Sequence, residues 1–116
     1  MNAGPIKIFL IAGEHSGDAL GGKLIEALRA QSKRPLELKG VGGEFMEAQG
    51  LHSMFPLTEL AVMSPLDILP RLRHIFRRIR ESAAAVIDFD PDVLVILDSP
   101  EFTHRVAKRV RRKATR

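Results

Sequence analysis

The sequence contains no cysteine, no tryptophan and no tyrosine. Without cysteine there is no disulfide framework, no thiolate zinc site and no cysteine nucleophile, and the composition suits a reducing compartment. The only aromatics are six phenylalanines, a thin basis for the stacking platform of a single-strand or RNA binder. Long apolar runs are also missing. No stretch approaches the roughly 18 residues of a membrane span, and Met1 to Leu10 has the wrong order for a secretory signal. The expectation is a soluble, cytoplasmic chain.

Two catalytic classes also lack their residues. His15, His52, His74 and His104 form no i, i+4 pair and no HExxH, so they supply no metal-ligand spacing. No G-x-S-x-G elbow surrounds Ser16 or Ser99, which excludes the usual serine hydrolase arrangement.

The 116 residues, 45% hydrophobic and 28% charged, suffice for one domain with one core. The net charge of +4 suggests a nucleic-acid binder until the charges are located. Residues 1–70 carry six Lys/Arg against eight Asp/Glu, whereas residues 71–116 carry twelve against six. Arg105 to Arg116 alone holds seven basic residues and no acid, so the excess belongs to the end of the chain.

Ile6 to Ala12 is a short, nearly continuous apolar run, the mark of a strand buried on both faces of a parallel sheet. A polar, glycine-containing loop follows, with Ser16 as the expected N-cap, and Leu20, Leu24, Ile25 and Leu28 then recur at helical spacing. Leu36 to Val41 alternates like a strand, Glu44 to Gln49 reads as a short helix stopped by Gly50, and Leu51 to Phe55 as another brief strand. From Ser64 the pattern is helical, with Ile68, Leu72, Ile75, Phe76, Ile79 and Ala83 on one stripe; Pro70 implies a later start or a kink. Asp92 to Leu97 is a second apolar strand and Phe102 to Arg112 a final helix. Strands alternating with helices predict an α/β fold: an incomplete Rossmann-like parallel sheet. The last helix has no strand after it, whereas doubly wound domains usually have five or six strands.

In such sheets ligands bind beyond the carboxyl ends of the strands, which directs attention to Glu14 and Asp98. A carboxylate there can accept a hydrogen bond from a substrate hydroxyl and take its proton as general base. Each also has a simpler role open to it as a helix cap. Gly13, Gly17 and Gly21 are spaced by four, which fits neither the dinucleotide nor the P-loop fingerprint. Glu14 and Asp18 would repel a phosphate at this helix N-terminus. A loop of small residues, a hydroxyl and acids suits a polyhydroxyl ligand such as a sugar, while Gly21-Gly22 also suits close helix–sheet packing.

Between Leu66 and Arg80, apolar residues alternate with Arg71, Arg73, Arg77, Arg78 and Arg80. This is either a surface helix with a core stripe and a solvated basic face, or an interfacial helix with its arginines on anionic headgroups.

The blocks Ala12-Gly13-Glu14-His15-Ser16-Gly17-Asp18, Gly40-Val41-Gly42-Gly43, Glu59-Leu60-Ala61-Val62-Met63 and Pro91-Asp92-Val93, leading to Asp98-Ser99-Pro100-Glu101-Phe102, closely resemble the N-terminal part of the lipid-A-disaccharide synthase family, in its order and spacing. The resemblance implies an inverting GT-B glycosyltransferase with two Rossmann-like domains facing a cleft. Residues 1–116 would be part of the N-terminal, acceptor-side domain, with the C-terminal nucleotide-sugar domain absent and the fragment inactive alone. The implied reaction transfers 2,3-diacylglucosamine from UDP-2,3-diacylglucosamine to 2,3-diacylglucosamine 1-phosphate, giving the β-1,6 disaccharide and UDP. No metal, cofactor or nucleic acid is implied, and the location is peripheral, on the cytoplasmic face of the inner membrane. By position Asp98 matches the base and Glu14 the acid of the first loop. Gly13, Ser16, Gly17, Asp18 and Pro100 match the substrate-binding side, and Leu66, Ile68, Leu69, Leu72, Ile75 and Phe76 the acyl or membrane contact. His15, Ser64-Pro65, Glu101 and Thr103 depart from the residues common in the family. A small basic membrane- or nucleic-acid-associated binding module is the alternative from another class.

Overall fold

Ile6–Ala12 forms the central strand β1 of a three-stranded parallel sheet. This is a computed structural model, and it describes residues 4–60, 65–97 and 100–114. Helix α1 (His15–Gln31) leads from β1 to strand β2 (Leu36–Val41), and a short helix α2 (Glu44–Ala48) follows. A single 3-10 turn (Leu57–Leu60) then precedes the long helix α3 (Pro65–Phe89), which leads to strand β3 (Val93–Leu97) and helix α4 (Pro100–Ala114).

The strand order is β2-β1-β3, with Ile11 opposite Val41 and Ala12 opposite Leu97. Ile8, Leu10 and Ala12 point to one face, where they meet Ile25 of α1, Met46 of α2, Leu51 and Leu97. Phe9 and Ile11 point to the other, against Phe55, against Ile79, Ala83, Val86 and Phe89 of α3, and against Val106 of α4. Helices therefore cover both faces, and this explains why β1 is apolar without alternation. Burying each large apolar side chain contributes about 1.5–3 kcal/mol, and Phe9, Leu10 and Ile11 are wholly buried. The α/β sheet is the Rossmann-like arrangement expected, with fewer strands than a full doubly wound domain.

Glycine sets how closely α2 packs on α1. A Cβ at Gly22 would lie 3.0 Å from the Phe45 carbonyl oxygen and 3.1 Å from the Phe45 Cβ, so a larger residue would have to push the two helices apart by a few tenths of an ångström. The expected stop after α2 is present as well, with Gly50 at a φ of +101°, a conformation that favours glycine. α3 ends at Asp90, which takes a φ of 50°. Asp92 then fastens the connection to β1: its Oδ2 accepts the Lys7 N–H at 2.9 Å and its own N–H donates to the Lys7 carbonyl at 2.8 Å.

Three expectations change. Leu51 to Phe55 forms a single bridge, Ser53 to Gly40, rather than a strand, because Ser53 Oγ turns back to the Phe55 carbonyl at 2.7 Å. α1 starts at His15 with Glu14, not Ser16, as its N-cap, since the Glu14 carbonyl already accepts the Asp18 N–H at 3.0 Å. On α3 the core stripe runs through Ile79, Ala83, Val86 and Phe89, with Ile75 packed against it. Phe76 sits about 60° round the helix from Ile79, at the margin of that stripe, and is 43% exposed. Ser64, the expected start of this helix, lies outside the described residues, and the helix runs through Pro70.

Candidate active site at the switch point of the sheet

β1 and β3 are parallel neighbours whose following helices part company: α1 packs on the face of Ile8 and Leu10, α4 on the face of Phe9 and Ile11. Loops that leave adjacent strand ends in opposite directions open a crevice between them, the usual ligand site of such sheets. The segment after β1 is Gly13-Glu14. The segment after β3 begins with Asp98, which with Ser99 lies outside the described residues; its predecessor Leu97 pairs with Ala12, the last residue of β1.

Glu14 has an extended backbone, φ −146° and ψ 168°, and its side chain makes no cap hydrogen bond to the helix it precedes. The side chain is exposed. A carboxylate that occupies the N-cap position without capping is available to a ligand, and it lies in the favourable field of the helix N-terminus. Ser16 is exposed in the first turn, and Gly13 and Gly17 are buried.

Asp18, in the first turn of α1, is only 1% exposed. Its Oδ1 accepts the N–H of Gly43 at 2.8 Å and of Met46 at 2.9 Å, and its Oδ2 the N–H of Phe45 at 3.0 Å. These are first-turn donors of α2, which a short helix cannot satisfy internally. The N-cap of α2, Gly43, has no side chain with which to cap it. A Cβ at Gly43 would fall 2.7 Å from Asp18 Oδ2, so glycine admits the carboxylate. Ser53 Oγ accepts the Gly42 N–H at 3.0 Å and holds the same loop from its other side.

A second polar group, absent from the sequence reading, joins the 3-10 turn to α3. Glu59 Oε1 lies 2.6 Å from His74 Nε2 and 2.8 Å from Arg78 Nη2. Arg78 Nη1 reaches Glu81 Oε1 at 2.7 Å, and Arg77 Nε reaches Glu81 Oε2 at 3.2 Å. The His74 hydrogen bond, helped by Arg78 and opposed by partial burial, holds the Glu59 carboxyl below its usual value. Arg78, followed by Arg77, does the same for Glu81. The Arg78 guanidinium also stacks 4.5 Å from the Phe55 ring centroid. The i, i+3 and i, i+4 spacings of Arg78 and Arg77 to Glu81 were legible; the partner Glu59 was not.

The basic face of α3 is therefore divided. Arg77 and Arg78 are ion-paired, while Arg73 and Arg80 are exposed on either side of Phe76. Leu72 is half-buried and Ile75 packs on the core. Leu66, Ile68 and Leu69 belong to the helix by their backbone, but their side chains lie outside the described residues, as does that of Pro100.

A family model described as lipid-A-disaccharide synthetase matches residues 8–116. Many relatives carry the name lipid-A-disaccharide synthase, those of the following three bacteria among them. That of Nitrobacter winogradskyi is 54% identical over 105 residues, 90% of this chain and 26% of the relative. That of Rhodospirillum centenum is 46% identical over 112 residues, 97% and 28%, and that of Bradyrhizobium diazoefficiens 50% over 105 residues, 90% and 27%. The chain spans about a quarter of the length of these curated relatives. With the match running from within β1 to the final residue, the chain belongs to the lipid-A-disaccharide synthetase family.

Proposed function

We propose that the chain provides the acceptor side of an inverting glycosyltransferase that joins two acylated glucosamines. The donor is UDP-2,3-diacylglucosamine, the acceptor 2,3-diacylglucosamine 1-phosphate, and the products are the β-1,6 disaccharide and UDP. The observation that carries the reading is the family match over a sheet whose switch point is flanked by Glu14 and by the segment of Asp98.

On this reading Asp98 accepts the proton of the acceptor 6-hydroxyl as its oxygen attacks the anomeric carbon of the donor. The new C–O bond forms on the face opposite the departing UDP, so the configuration inverts. Glu14 hydrogen-bonds the acceptor sugar, with Gly13, Ser16, Gly17 and Pro100 shaping that side. The nucleotide-sugar half of the site belongs to a second domain outside residues 1–116, and these residues by themselves have no transferase activity.

The same reading places the protein at the cytoplasmic face of the inner membrane, held peripherally by α3. No helix among the described residues is long and apolar enough to cross a membrane. Phe76 is exposed between Arg73 and Arg80, an arrangement suited to an apolar side chain in the acyl boundary with cations at the headgroups. By the family resemblance Leu66, Ile68, Leu69 and Leu72 are assigned to the same acyl or membrane contact, while Ile75 packs on the core.

The test is a chimera in which this chain replaces the matching N-terminal quarter of the Nitrobacter winogradskyi relative. It is expected to form disaccharide from the two acylated glucosamines, whereas the 116-residue chain alone forms none. A folded chimera without product would refute the proposed activity.

A further inference from the structure

We infer that Asp18 is a positioning residue that locks the loop after β1 to the loop after β2, so that the two strand ends present one rigid rim. The inference deepens the proposed function by giving Asp18 a different role from the sugar-facing residues around it.

Asp18 joins the first turn of α1, which leaves the loop after β1, to the loop that opens α2. Its N–H closes the first turn of α1 on the Glu14 carbonyl at 3.0 Å. Its carboxylate crosses to the other loop and accepts three N–H groups, from Gly43, Phe45 and Met46, at 2.8 to 3.0 Å. With both oxygens occupied and 1% of the residue exposed, the side chain has no free face toward a ligand. Helices of five residues are not stable by themselves, so α2 owes its start to this carboxylate. Any displacement of α2 is thereby transmitted to the turn that begins at Glu14.

The chemistry requires an acid. A carboxylate is acceptor-only and matches three converging donors. The isosteric amide keeps its oxygen for Gly43 and Met46 but turns an NH2 group toward the Phe45 N–H. Asp18→Asn therefore changes one hydrogen bond at almost constant shape and leaves the rest of the fold in place.

The experiment has two arms. In the first, amide hydrogen exchange is measured on the 116-residue chain with Asp18→Asn, with Ser53→Ala, and with Ile25→Val as a core control. Asp18→Asn is expected to speed exchange at least tenfold at Phe45 and Met46 and also at the Asp18 N–H. Ser53→Ala is expected to speed it at Gly42 and to leave the Asp18 N–H unchanged. Exchange at these amides in Asp18→Asn no faster than in Ile25→Val would overturn the inference. So would an equal loss at the Asp18 N–H in Ser53→Ala, which would mean general loosening of the loop. In the second arm the chimera carries Asp18→Asn. It is expected to lose about tenfold or more in kcat/KM for the acceptor, at a melting temperature matched by an Ile25→Val chimera with unchanged kinetics. Kinetics equal to that control would overturn the inference. An inactive parent chimera would refute the proposed function, and the exchange arm would still decide the role of Asp18.

Discussion

His74 Nε2 lies 2.6 Å from Glu59 Oε1, a contact across fifteen residues that fastens the 3-10 turn to α3. Arg78 adds a second bond to the same oxygen, at 2.9 Å from its Nε. The segment that carries Phe55 into the core and the helix that exposes Phe76 are thus held together by charged hydrogen bonds as well as by apolar packing.

The cluster makes stability depend on acid. The Glu59 and Glu81 carboxyls are held below their ordinary value of 4.5 in the folded chain. Their contribution is therefore present above that value and is lost as the pH falls through the lower folded values. The urea midpoint should fall as the pH is lowered through 4.5 and below, and less steeply in Glu59→Gln. Because both side chains are part-exposed, the difference should shrink in 1 M salt, where charges are screened within about 3 Å. Equal pH slopes in the parent and in Glu59→Gln would contradict this account.

Gly22→Ala should destabilise the chain by about 1–3 kcal/mol, because the added methyl meets the Phe45 backbone. Gly21→Ala should also destabilise the chain, since the added methyl would lie 2.6 Å from the sulfur of Met46, a flexible but fully buried side chain that must repack. Urea unfolding of the two variants measures both losses directly.

Phe76→Ser should leave stability within about 0.5 kcal/mol, as expected for an exposed position, yet reduce flotation with anionic vesicles. Ile79→Ser, one turn onward and buried, should unfold the chain much more readily. Unchanged vesicle binding in Phe76→Ser would remove the lipid contact from the proposed function.

In the active chimera, Asp98→Asn should lower kcat by about 10²- to 10⁴-fold, the range for loss of a general base. Glu14→Gln should weaken turnover or acceptor binding with only a small fall in melting temperature, since its side chain makes no cap bond and only its interaction with the helix N-terminus, about 0.3–1 kcal/mol, is lost. Wild-type turnover in Asp98→Asn would show that another group removes the proton.

Much of the architecture was legible because it rests on local pattern. The uninterrupted apolar run of Ile6 to Ala12 implied a strand covered on both faces, and Leu36 to Val41, α2 and α4 followed from alternation, glycine stops and helical spacing. The blocks around Gly13 to Asp18 and Gly40 to Gly43 carried the family resemblance, since they are contiguous in the chain.

Tertiary structure decided what depends on partners distant in sequence. Asp18 and Glu14 are four residues apart and both acidic, yet one is sealed under three N–H groups of α2 and the other faces solvent. No local pattern separates them, because burial is set by where α2 lands. Phe76 reads as core by spacing, and only the packing of α3 on the sheet and α4 turns it outward. The sequence by itself determined which segments are strands and helices, through side-chain periodicity and backbone preference. Which acid is sealed against the backbone of α2 and which faces solvent was settled by the folded geometry, because a carboxylate's role depends on the donors brought within 3 Å of it.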